Sequence, residues 1–216
     1  MTGLRRRDIP PDVIRALARK ARRTGLVVLG ILVAVAFAAT DAGAEAKRWT
    51  TVAGKSQVSF DASFPLGDFA GRAEEVAGEF WGDPGDLRQG VTGALRVRTT
   101  ALRTGVDGRD RDMWRALSGE RYPEIRFTVQ RVEPSFPSVT DRSDVLLTVS
   151  GLMQVHGVER PVVFPGRVRL RDDRLWVRGE TRIQMRDFGI DPPRRFFLRV
   201  ADSVLVGFDL LLAVAD

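Results

Sequence analysis

The chain has 216 residues, 44% hydrophobic and 29% charged, the balance of an ordinary soluble globular protein, with a formal net charge of +6. It has no cysteine, which excludes thiol catalysis, thiolate metal sites, disulfides and thiol redox chemistry. It has one histidine, which excludes histidine-rich metal centres.

The first 44 residues read as an export leader. Arg5, Arg6, Arg7, Arg15, Arg19, Lys20, Arg22 and Arg23 load the start with positive charge. An apolar run from Leu26 to Ala39 follows, and Ala42-Gly43-Ala44 supplies the small residues at −3 and −1 of a cleavage site. The apolar run falls short of the roughly 20 residues a spanning helix needs, so cleavage is expected rather than retention as an anchor. The expected location is periplasmic or secreted. Removing the leader leaves 26 basic and 25 acidic residues, a net charge of +1, and with it no electrostatic case for nucleic acid.

Residues 45–216 are expected to form one domain, and their dominant signal is alternation. Val58, Phe60, Ala62 and Phe64 oppose Gln57, Ser59, Asp61 and Ser63. Gly108 to Ser118 alone looks helical. Ile125, Phe127 and Val129 alternate with Arg126, Thr128 and Gln130. Val162, Phe164, Val168 and Leu170 oppose Arg167, Arg169 and Arg171; Asp172-Asp173 then turns the chain into a second alternating run, Leu175 to Met185. The last run puts Val204, Val206, Phe208, Leu210, Leu212 and Val214 on one face. Eight to ten strands with one apolar face each must close into a barrel or stack as a sandwich. The pattern does not choose between the two.

Four segments, in order, resemble the YceI family of lipocalin-like proteins. They are Val58-Ser59-Phe60 with Val76-Ala77-Gly78-Glu79-Phe80; Arg109-Asp110 with Tyr122-Pro123-Glu124-Ile125-Arg126-Phe127; Gly151 to Val162; and Arg186-Asp187-Phe188-Gly189-Ile190. Met153-Gln154 departs from the family's usual Leu-Thr. The segment between Arg109 and Pro123 is about two residues short. The resemblance implies an all-β fold: an antiparallel eight-stranded lipocalin-like barrel with one short helix, enclosing an apolar tunnel. It also implies an isoprenoid or other amphiphilic lipid as ligand, no cofactor and no catalytic centre.

An apolar tunnel would suffice for such a ligand. Burying one CH₂ is worth about 0.8 kcal/mol, so a five-carbon unit contributes about 4 kcal/mol before costs. Phe60, Phe64, Phe80, Phe127, Phe164 and Phe208 are the cavity candidates, core packing being their ordinary role. Arg109, Asp110, His156, Arg186 and Asp187 are candidates for a polar rim or for structural ties. His156 before Gly157 is assigned a hydrogen bond that locks a turn, since no nucleophile elbow accompanies it. No residue set suggests a metal site. Arg167, Arg169, Arg171, Arg178 and Arg182 with Trp176 admit a transient contact with an anionic membrane, against the ordinary role of a solvated face. The sequence leaves the oligomeric state open, a dimer included. The leading expectation is thus an exported carrier that catalyses nothing. Its alternative is a protein-interaction or stress-response module, inhibitor-like, whose barrel is filled by its own side chains.

Overall fold

Inward apolar side chains at every second position commit each strand to a single buried face, and a sheet closed on itself buries all those faces at once. The computed structural model describes residues 46–141, 144–195 and 198–215; the leader lies outside them. In chain order the elements are β1 (Lys47–Thr51), β2 (Gln57–Ala62), β3 (Phe69–Ala73), β4 (Val76–Gly82), β5 (Thr92–Arg98), α1 (Asp107–Ala116) and β6 (Glu124–Pro134). There follow β7 (Val145–Val155), β8 (Val158–Arg171), β9 (Arg174–Gln184), β10 (Arg194–Arg195), β11 (Leu198–Arg199) and β12 (Ser203–Val214).

Eight staves close a ring, β1-β4-β5-β6-β7-β8-β9-β12, with β12 returning to β1. Every pairing is antiparallel. The structure therefore decides for the barrel over the sandwich. β2 and β3 extend the ring: β2 pairs with the first half of β12, whose second half takes β1. Between them the chain leaves the ladder at Val52–Ser56, and the groups this frees are satisfied locally. The Leu211 N–H donates to the buried Ser56 Oγ at 3.1 Å, and the Leu211 carbonyl accepts from Val52 N–H at 2.8 Å.

The interior is filled by Val76, Leu95, Val129, Val145, Val149, Phe164, Val168, Leu175, Val204 and Leu212, each under 10% exposed. Three phenylalanines face a glycine directly across the sheet: Phe60 opposite Gly71, Phe80 opposite Gly93, Phe208 opposite Gly179. Each ring occupies the space a Cβ would need, at 2.3–2.8 Å from where it would stand. The rings thus pack on bare backbone, a device that pins register and curves a sheet.

α1 forms where the sequence looked helical. Asp107 and Asp110 in its first turn and Arg115 in its last complement the helix dipole. Ser118, with φ of 48°, stops it. Met113 and Leu117 pack against the core, and Trp114 Nε1 donates to the Leu102 carbonyl at 3.0 Å, so the helix covers one end of the barrel.

Candidate functional site

The two ends of the barrel differ in chemistry. At the end reached by the close of β5, β7 and β9, the chain builds polar ties. His156 is the first central residue of the two-residue turn between β7 and β8, with φ of 54°, and Gly157 follows at 76°. Both central residues with positive φ make this a type I′ hairpin turn, whose twist matches its strands. The His156 Nδ1 lies 3.3 Å from the Phe188 carbonyl, which can only accept, so Nδ1–H donates. Nε2 then accepts the Ser118 hydroxyl at 2.9 Å. Tyr122 meets the imidazole edge-on at 5.3 Å. One side chain thus joins the hairpin turn, the end of α1 and the segment after β9.

Asp110 is 2% exposed and accepts from Thr104 N–H at 2.7 Å and Thr104 Oγ1 at 2.5 Å. Its neighbour Arg109 meets the same residue from the other side: Nε donates to Thr104 Oγ1 at 2.9 Å and Nη2 to the Thr104 carbonyl at 3.2 Å, while the guanidinium lies 4.9 Å over the Phe69 ring. Arg186 and Asp187 are exposed on the short 3-10 turn Met185–Phe188, which buries Phe188 at 1% exposure and ends at Gly189. All five polar candidates therefore sit at this helix-covered end.

The cavity is at the other end. It measures about 100 Å³ and no charged side chain lines it. Its walls are the inner faces of β4 to β9 and β12, including Phe80, Leu95, Val149, Val177 and Leu210. Trp49 closes one side, its Nε1 donating to the Gly82 carbonyl at 3.1 Å. Pro84, Leu87 and Val91, from the loop between β4 and β5, cap it. That loop is held by Asp86, whose carboxylate accepts from Arg88 N–H at 3.2 Å and is held below its usual pKa chiefly by that bond. It is also pinned to the β6–β7 loop by Leu87 N–H to the Pro137 carbonyl and Val139 N–H to the Pro84 carbonyl.

Of the six phenylalanines, Phe80, Phe127 and Phe208 line the cavity. Phe164 lies between Phe127 and Phe208, edge to face with each at 5.2 and 5.3 Å, and the three rings make a layer across the barrel. Phe60 is beyond that layer, edge-on to Phe69 at 6.5 Å. Phe64 departs from the sequence expectation. β2 ends at Ala62, and Phe64 opens a turn whose second residue is Pro65, its carbonyl accepting from Gly67 N–H at 2.9 Å. The five polar candidates form no rim around this cavity, because α1 and the His156 turn occupy the opposite end. The sequence reading missed Trp49, Leu87 and Val91. Trp49 precedes the first clear alternation and the other two lie in a loop, where no periodicity marks an inward side chain.

The family model described as the YceI-like domain matches residues 49–212. No curated protein matches the chain. Among solved structures, Burkholderia cenocepacia BcnA is similar with a TM-score of 0.65 at 17% identity, covering 76% of this chain and 99% of its own. A polyisoprenoid binding domain from Saccharophagus degradans, implicated in plant cell wall breakdown, has a TM-score of 0.61 at 18% identity, covering 77% and 98%. The Campylobacter jejuni YceI protein has a TM-score of 0.55 at 13% identity, covering 68% and 84%. With three quarters of its length under the family model and the eight-stranded barrel in place, the chain belongs to the YceI family.

Proposed function

We propose that this protein is an exported, non-enzymatic carrier that sequesters the apolar chain of an isoprenoid-like or other amphiphilic lipid inside its barrel. The observation that carries the reading is the uncharged cavity bounded by Phe80, Phe127 and Phe208. Polyisoprenoid binding by the Saccharophagus degradans relative supports the ligand class, and the basic-apolar-small leader supports export. At about 100 Å³ the cavity is smaller than the roughly 300–1,000 Å³ of typical small-molecule sites. It therefore receives the end of a chain, and a longer ligand must displace the Phe127–Phe164–Phe208 layer. A few five-carbon units at about 4 kcal/mol each, before costs, suffice for micromolar affinity, near −8 kcal/mol.

The packing of that layer also favours a second reading, the interaction module with a filled barrel. Mass spectrometry of an organic extract separates the two, using protein purified from its own envelope. A stoichiometric apolar lipid, absent from Val149→Phe, which fills the cavity, is the result expected of a carrier. An empty extract from a folded protein would shift the assignment to the module.

A further inference from the structure

The outer face of β8 and β9 opposes like charges across the sheet: Arg167 stands opposite Arg178 and Arg171 opposite Arg174, with Arg169 opposite Trp176 between them. Directly opposed like charges weaken a strand pair, and these positions face outward, where the core imposes no such choice. Asp144 engages Arg169 through both carboxylate oxygens, and Asp209 engages Arg178. Among the described residues, no carboxylate forms a close ion pair with Arg167, Arg171 or Arg174, and Arg167 acts on Asp144 only at longer range. These side chains border an open groove of about 710 Å³, whose apolar members are Trp176 and Leu211 and whose acidic members are Asp144, Asp172 and Asp209.

The exposed aromatic side chains gather at the same end of the barrel, whereas Leu66 and Val106 are exposed at the helix-covered end. Trp176 is 42% exposed, Trp81 on β4 41%, Phe136 in the β6–β7 loop 66%, and Leu146, directly opposite Arg167, 63%. Aromatic side chains beside arginines suit the boundary of a bilayer, where rings enter the acyl edge and guanidinium groups take lipid phosphates in two-point contacts. Among the described residues no helix is long and apolar enough to cross a membrane. A second copy docked by two-fold symmetry on this face would set arginine against arginine.

We infer that the cavity end of the barrel docks peripherally on an anionic lipid bilayer, through Arg167, Arg171 and Arg174 with Trp176 inserted among the headgroups. The inner faces of the same strands, at Val168, Leu175 and Val177, line the cavity. Under the carrier reading, docking brings that cavity to the membrane without carrying cargo through water. Docking itself needs no cargo, so it is tested without any.

The full chain is mixed with vesicles of phosphatidylcholine, or of phosphatidylcholine with about one third phosphatidylglycerol, and partition is measured by sedimentation. Arg167→Gln, Arg171→Gln and Arg174→Gln are combined in one variant, so that whatever the N-terminal segment contributes is common to both proteins. Each arginine near an anionic surface is worth roughly fivefold. The triple variant is therefore expected to lose about a hundredfold in partition on the anionic vesicles alone, with no fall in melting temperature, since opposed charges are removed. Brominated lipid is expected to quench a fraction of the fluorescence that Trp176→Phe abolishes. Equal partition of the two proteins with no quenching at Trp176 overturns the inference, whether the face then proves to meet an acidic protein or nothing. Vesicle binding without lipid in the extract would leave docking standing and remove the carrier reading; the converse would do the opposite.

Discussion

Buried polar groups carry more consequence than their number suggests, because each must keep its partner once water is excluded. Asp110→Ala leaves the Thr104 N–H and hydroxyl without their acceptor. It is expected to lower unfolding free energy by about 2–4 kcal/mol in a urea titration. Binding of an apolar fluorescent probe to the remaining folded protein should be unchanged, since Asp110 sits at the end away from the cavity. His156→Asn keeps a side chain that tolerates positive φ but gives up the bridge from Ser118 to Phe188, and about 1–2 kcal/mol with it. A loss of probe binding at unchanged melting temperature would contradict that structural role. The sequence made His156 legible as a turn residue because it precedes Gly157. It could not separate Arg109 from Asp110, since adjacency in the chain says nothing of the loop at Thr104 that draws one inward and stacks the other on Phe69.

Hairpins repay attention at the scale of elements, for register in a barrel is set by turns as much as by apolar faces. Asp172 and Asp173 have φ of 50° and 55°, so the β8–β9 loop is a second type I′ turn, built without glycine. Asp173→Gly is expected to relieve that strain and raise the melting temperature by about 1–3 °C, corresponding to roughly 0.5–1 kcal/mol in a protein of this size. Beside the turn, hydrogen bonding from Arg169 chiefly holds the Asp144 carboxyl below its usual pKa and raises that of Arg169. A depressed carboxylate contributes its stability above the ordinary value near 3.9 and loses it as pH falls through the lower folded value. Asp144→Asn should therefore narrow the stability difference between neutral and strongly acidic solution in melts across pH, by a small amount because the pair is exposed. Alternation made β2, β6, β8, β9 and β12 legible from sequence, while part of β7 was marked only by the resemblance. The break between β1 and β2 was not, because it depends on one buried hydroxyl, Ser56, meeting a strand 155 residues away.

For the molecule as a whole, the central question is how much of the barrel is empty. The class of fold followed from an inward face on every strand, and the resemblance supplied the closure that alternation alone left open. Cavity position was not legible, because core and lining share one face and only the three-ring layer divides them. Phe164→Ala should remove that division. Its expected signature is a loss of about 3–5 kcal/mol in stability together with tighter binding of longer apolar chains, read by isothermal titration with alkyl ligands of increasing length. Unchanged length preference would place the ligand outside the barrel interior. The same ring of staves has a temporal side. β12 holds β9 along one flank and both β1 and β2 along the other, so the stave that completes the circle is made after the other seven. Until it emerges from the ribosome, the growing polypeptide has open strand edges at β9 and β1 and no sealed interior, and topology this non-local folds slowly. β12 thus acts as a latch: the seven staves made before it stay open and threadable until it pairs on both flanks.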